Sequence, residues 1–245
     1  RTAAGERLPA VEVMLNTTIF VLGSSTLSTV LAVFLAYLNT RTDIPFKFLF
    51  KIISIIPMMI PHLLFSVSWA LLLNPSNGLI NLGLMEAFSL DNAPFNIYSM
   101  WGMILIEGLL DLPIAYLSIA PPMASFDVAL EESSRVSGAS SWRTLFRITL
   151  PVLRPAILAA FILGVVRSLA SFAVPSVIGM PGRVQVLATH LYEMIATGFA
   201  TDYGKAAALG MSVLVASVTL IVVYRALTAE SEKYVTIAGR GFRPT

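Results

Sequence analysis

Four ionisable side chains interrupt stretches that are otherwise apolar. Glu107 and Asp111 lie in 97–120, Arg167 lies in 155–178, and His62 lies in 52–73. Carboxylates four residues apart share one face of a helix. There they have three uses: to carry protons, to line a polar pathway, or to pair with a cation between helices. An ionised group at the centre of a bilayer costs roughly 2.5–3.5 kcal/mol on insertion scales. Glu107, Asp111 and Arg167 are therefore expected to face the interior of a bundle, with one carboxylate paired to Arg167. Asp111 stands near the end of its stretch, where water can reach it. His62, next to Pro61, reads as a packed or cavity-facing polar group rather than a ligand. Metal chemistry has little to work with: the chain has no cysteine, and His62 and His190 are far apart. No nucleophile–base pair sits in the apolar stretches, and no G-x-x-x-x-G-K-[S/T] phosphate loop occurs. These residues point to neither a catalytic site nor a metal site.

A second group lies in the loop 121–154. Its pattern is two short helices around a glycine. Asp127 suits the cap of the first helix, and Glu131 and Glu132 lie near its positive N-terminal end. Gly138 suits the left-handed residue that ends a helix. Ser140 or Ser141 can cap the second helix, and Pro151 marks the approach to the next apolar stretch. Arg143 and Arg147, four apart, share one face. Leu145, Ile148 and Trp142 are placed to face a bundle or a partner. Such an element offers a stiff knob to something outside the membrane.

The elements that position these groups follow from composition. Of 245 residues, 56% are hydrophobic and 12% charged. Soluble domains carry about 25% charged residues. With a mean hydropathy of +0.81, too little polar surface exists to coat a water-exposed globule. Disorder, nucleic-acid binding and an ordinary cytosolic enzyme are excluded, and a net charge of +2 is no footprint for nucleic acid. A bilayer core needs about 20 apolar residues in a helix. Five stretches qualify: 16–38, 52–73, 97–120, 155–178 and 206–224. Backbone groups in lipid must pair within the segment, so each is expected to be a helix. The fold class expected is all-α, a polytopic membrane helix bundle forming one domain over 1–245.

Basic residues set the direction. Eleven fall in the loops 39–51 and 121–154 and in the C-terminal tail, against four on the other side. The side with eleven is cytoplasmic by the positive-inside rule. The N-terminus is then outside and the C-terminus inside, and a helix is expected to precede Arg1. Trp69, Tyr98 and Trp101 fall near the outer ends of their spans, as an interfacial aromatic belt would have them. Pro57, Pro61, Pro113 and Pro175 lie within spans, where proline bends a helix. Two outer segments, 79–88 and 186–195, carry apolar residues at helical spacing and read as short interfacial helices.

The loop carries a resemblance. Glu132 is followed by the small residues Ser133 and Ser134. Gly138 stands six after Glu132, then come nine residues, then Ile148-Thr149-Leu150-Pro151. This spacing resembles the Glu-Ala-Ala…Gly…Ile-x-Leu-Pro motif of permease subunits in binding-protein-dependent ABC importers, most like those of the iron(III), thiamine and polyamine type. The resemblance implies that Glu132, Ser133, Ser134, Gly138, Trp142, Arg143, Arg147, Ile148, Leu150 and Pro151 form the element that docks into a cytosolic ATPase. It also implies that ATP and Mg are bound by that ATPase dimer, not by this chain. The further partners implied are an extracytoplasmic solute-binding protein and a second permease bundle, whether a copy, a sister subunit or a fused half. The setting implied is the bacterial inner membrane. The basic, glycine-punctuated tail 231–245 resembles the mid-chain joint of fused permeases, so one bundle of a longer permease is expected. Two other readings stand beside this one: a proton-coupled secondary transporter using Glu107 and Asp111, and an intramembrane enzyme, which the lack of a nucleophile–base pair disfavours.

Overall fold

The computed structural model describes residues 10–125, 128–196 and 203–235. Every regular element described is a helix. Helix α1 runs Ala10–Arg41 and is followed by α2, Lys47–Ile55, a 3-10 turn over Ile56–Met59, and α3, His62–Leu72. A short α4, Leu79–Phe88, precedes the long α5, Met100–Ser125. The loop contains α6, Val128–Val136, α7, Ser141–Thr144, a π turn over Leu145–Thr149, and α8, Leu150–Val152. Then come α9, Arg154–Leu169, a π turn over Pro175–Gly179, α10, Leu187–Ala196, and α11, Tyr203–Val235.

Three helices, α1, α5 and α11, are each long and apolar enough to span a bilayer, and two bent pairs could supply two more. The first, third and fifth expected spans thus stand as single helices. The second does not: α2 and α3 meet at 111°. Pro57 and Pro61 cause this, because each lacks an N–H and crowds the carbonyl four residues back. Ile60, ahead of Pro61, is forced extended (φ −99°, ψ 130°). The fourth expected span, 155–178, also divides. Its helix stops at Leu169, and residues 171 and 172 are non-helical. Pro175 offers no N–H to the Ser171 carbonyl and crowds it, and the break falls upstream of it. Pro113, by contrast, is buried and α5 runs through it.

The core lies where α1, α5 and α9 pack together. Small residues allow close approach, as expected where helices meet in lipid. A Cβ at Gly108 of α5 would lie 2.8 Å from Leu27, and one at Gly164 of α9 would lie 3.3 Å from Ser25. Ser24, Ser25 and Ser28 of α1 are fully buried, and each hydroxyl bonds a carbonyl of its own helix. Phe20, Met103, Ile106, Val174 and Ile178 fill one apolar cluster; Ala36, Ile119 and Met123 belong to another nearer the α6 end.

At the opposite end, the two short helices expected over 79–88 and 186–195 are present as α4 and α10. Asn81, 1% exposed, fastens α4. Its amide donates to the carbonyls of Leu73, Asn74 and Phe95, and its Oδ1 accepts from the Phe95 N–H. The Leu187 N–H donates to Thr17 Oγ1 at 2.8 Å, which ties α10 to α1.

Candidate functional site

Two polar constellations stand out, one inside the bundle and one at the α6 end. The first is built by α5 and α9. One turn apart on α5, Glu107 and Asp111 are 5% and 2% exposed. Arg167 occupies the last turn of α9, where a cation is favoured by the negative end of the helix dipole. Its Nε donates to Asp111 Oδ1 at 2.8 Å. Ser168 donates to Asp111 Oδ2 at 3.1 Å, and its oxygen lies 2.9 Å from Ser24 Oγ of α1. Ser171, in the break of the fourth span, donates to Glu107 Oε2 at 2.8 Å.

The structure thus brings Glu107, Asp111 and Arg167 together, and it chooses Asp111 as the partner of Arg167. Asp111 is sealed inside the bundle, which corrects the expectation that water reaches it. His62 is exposed at the start of α3, so of the two expectations it is not the packed one, and it stands within electrostatic range of Asp111. Nothing in the composition marks out Ser24, Ser168 and Ser171, because serines in an apolar helix usually bond their own backbone.

The second constellation is the loop. The pattern of two helices around a glycine is present. Asp127, expected as a cap, lies outside the described residues. Gly138 has φ +83° and completes a Schellman turn: its N–H donates to Arg135 O, and the Ala139 N–H donates to Ser134 O. No atom lies within 4 Å of a Cβ built there. The demand for glycine is therefore conformational, not steric. Ser140 caps α7, its Oγ accepting from the Arg143 N–H. Ser134 and Thr144 hydroxyls lie 3.0 Å apart and join α6 to α7.

On this rigid corner Glu132, Ser133, Arg135, Arg143 and Arg147 are exposed, whereas Ile148, Leu150 and Pro151 are half-buried toward the bundle. Trp142, 67% exposed, stacks on Phe146 at 6.1 Å. The two rings border an apolar groove of about 510 Å³ against Val33, Phe34 and Tyr37 of α1. Glu131 behaves differently from its neighbour. Its Oε1 is 3.3 Å from Arg41 Nε and accepts from Thr149 Oγ1 at 2.8 Å. Neither Arg41 nor Thr149 is conspicuous in the sequence: a basic residue at a helix end reads as a solvated one.

The sequence model of binding-protein-dependent transport system inner membrane components matches residues 28–231, from mid-α1 through the loop and into α11. The chain belongs to this family. It is 30% identical over 220 residues to a putative ferric transport system permease protein of Haemophilus influenzae, covering 88% of the chain and 33% of that protein. It is 31% identical over 216 residues to a ferric transport system permease protein of Actinobacillus pleuropneumoniae, covering 88% and 31%. A molybdenum transport system permease of Haemophilus influenzae is 30% identical over 170 residues, 68% of the chain and 72% of that protein. The chain thus spans about a third of the length of the two ferric relatives. Among solved structures, a bacterial alginate ABC transporter bound to its alginate-loaded periplasmic protein superposes with a TM-score of 0.70 at 21% identity, over 97% of this chain and 82% of that one. An inward-facing methionine ABC transporter gives 0.55 at 15% identity, over 94% of both. These likenesses establish the fold, an all-α membrane bundle of the ABC-permease kind.

Proposed function

We propose that the chain is the solute-conducting bundle of an ATP-driven importer and that the α6–α7 corner couples it to a cytosolic ATPase dimer. The observation that carries this reading is the corner itself. Gly138 in the left-handed region and the Ser140 cap hold two short helices rigidly, with the Glu132 and Arg143/Arg147 side chains turned out to solvent. ATP and Mg belong to the ATPase partner. The α6 end faces the cytoplasm, in keeping with its basic residues. The α4 and α10 helices then face outward and receive a solute-binding protein. A second bundle, fused or separate, completes the pathway across the exposed faces of α2, α3 and α11. Iron(III) is the first solute to test, because ferric permeases of two organisms are 30% and 31% identical to this chain.

The test is uptake into proteoliposomes containing the full-length protein, its ATPase and its binding protein. Radiolabelled iron should accumulate only with ATP and should be blocked by vanadate. Uptake that persists without ATP and collapses with the proton gradient would sink the ATP-driven reading. ATP-dependent uptake of molybdate but not iron would reject iron alone.

A further inference from the structure

The α6 helix is fastened to α1 by a buried pair of charges. Arg41 lies in the last turn of α1 and Glu131 in the first turn of α6. Their Nε and Oε1 atoms are 3.3 Å apart, and each side chain is 7% exposed. The helix ends themselves are of opposite polarity, which favours the same juxtaposition. Thr149, 1% exposed and in the π turn leading to α8, donates to the same Oε1 at 2.8 Å. Three elements therefore converge on one carboxylate. Beside them, α1 and α6 line a polar recess of about 250 Å³.

Separating a buried ion pair strands two uncompensated charges, so such a contact resists being pulled apart far more than an exposed one does. Glu132, the next residue on α6, is exposed and available to a partner. A force applied to the outer face of α6 is thus opposed on its inner face by α1. Helix α1 in turn packs along α5 and α9, which carry the Asp111–Arg167 pair.

We propose that Arg41 is a positioning residue for energy coupling: the Arg41–Glu131–Thr149 junction is the strut that makes α1 follow α6 when the ATPase moves it. This rests on the function proposed above. It adds residues outside the Glu132…Gly138…Pro151 spacing and assigns them the inward half of the transmission.

The experiment measures transport and ATP hydrolysis together in proteoliposomes holding the full-length protein, its ATPase and its binding protein. Arg41→Met and Glu131→Gln should insert and retain the ATPase in pull-down, yet solute moved per ATP should fall at least five-fold. Arg41→Lys should recover part of it. The pair Arg41→Cys with Glu131→Cys, in a background free of other reactive cysteines, should be uncoupled when reduced. A short methanethiosulfonate cross-linker between the two positions should restore coupling. Wild-type transport per ATP in Arg41→Met and Glu131→Gln overturns the proposal. So does loss of membrane insertion in all the variants, since the pair would then serve folding alone. Failure of the unmodified complex to show ATP-dependent transport counts instead against the importer reading itself.

Discussion

Arg167 makes its short contact with Asp111 although Glu107 lies one turn away on the same helix. The choice follows from where α9 ends: Arg167 and Ser168 stand in its last turn and share the two oxygens of Asp111, while Ser171 in the break reaches Glu107. Removing Arg167 strands a buried carboxylate, a change that costs about 3–5 kcal/mol. Arg167→Leu should therefore lower the melting temperature in detergent severely. Adding Asp111→Leu should recover most of the loss, and adding Glu107→Leu should not. Equal rescue by the two would refute the assigned pairing. At Gly138 the open space around the Cβ position predicts an order set by backbone conformation alone. A left-handed residue with a Cβ costs roughly 1–2 kcal/mol, and asparagine tolerates that region better than most. Amide exchange across α6 should rise little for Gly138→Asn, more for Gly138→Ala and most for Gly138→Val. A variant order that instead follows side-chain volume without sparing asparagine would mean that packing, not φ, is the constraint.

At the scale of elements, the apolar spacing within 79–88 and 186–195 is enough to place α4 and α10, and the helix–glycine–helix loop is legible from its caps. The prolines are equally plain in the sequence, but their outcome is not. Pro113 sits in the α1–α5–α9 core, where packing on all sides keeps α5 continuous. Pro61 stands exposed between α2 and α3, with Pro57 buried four residues before it, and there the chain turns by 111°. What proline does to a helix depends on what surrounds it, and that is not written locally. The same holds for Asn81, whose four hydrogen bonds join residues up to 14 apart. Each buried polar group left unpaired costs about 1–3 kcal/mol. Asn81→Leu should loosen α4 so that protease cuts within Leu79–Phe88 appear while α1 and α5 stay protected. Unchanged protection of α4 would show that its apolar contacts hold it without Asn81.

For the whole molecule, the basic residues and the structure together define two ends. Ser76, beside α4, and Ser137, at the Gly138 corner, are both exposed. The sequence carries no cysteine, so single substitutions report cleanly where the rest of the protein is free of reactive thiols. Ser76→Cys should react with an impermeant maleimide added outside intact cells, and Ser137→Cys only after permeabilisation. The opposite pattern would invert the orientation. Helix α11 belongs to this scale as well. Its apolar residues Met211, Leu214, Val215, Val218 and Val222 are all more than half exposed. It packs on α9 and α10 along one side and offers the other to lipid or to a second bundle.

The bend at Pro57–Pro61 also determines which solvent that part of the molecule tolerates. Two prolines in five residues remove two backbone donors, and Ile60 between them is extended. Hydrocarbon tails cannot replace the missing partners, so a kinked backbone survives at membrane depth only against protein or water. Met58, Met59 and His62 project from this bend. The side on which they stand is thereby wetted or covered rather than greased. Amide exchange in D2O tells the two apart: the Met58 and Met59 amides should exchange with bulk water if the bend is wetted and stay protected if protein covers it.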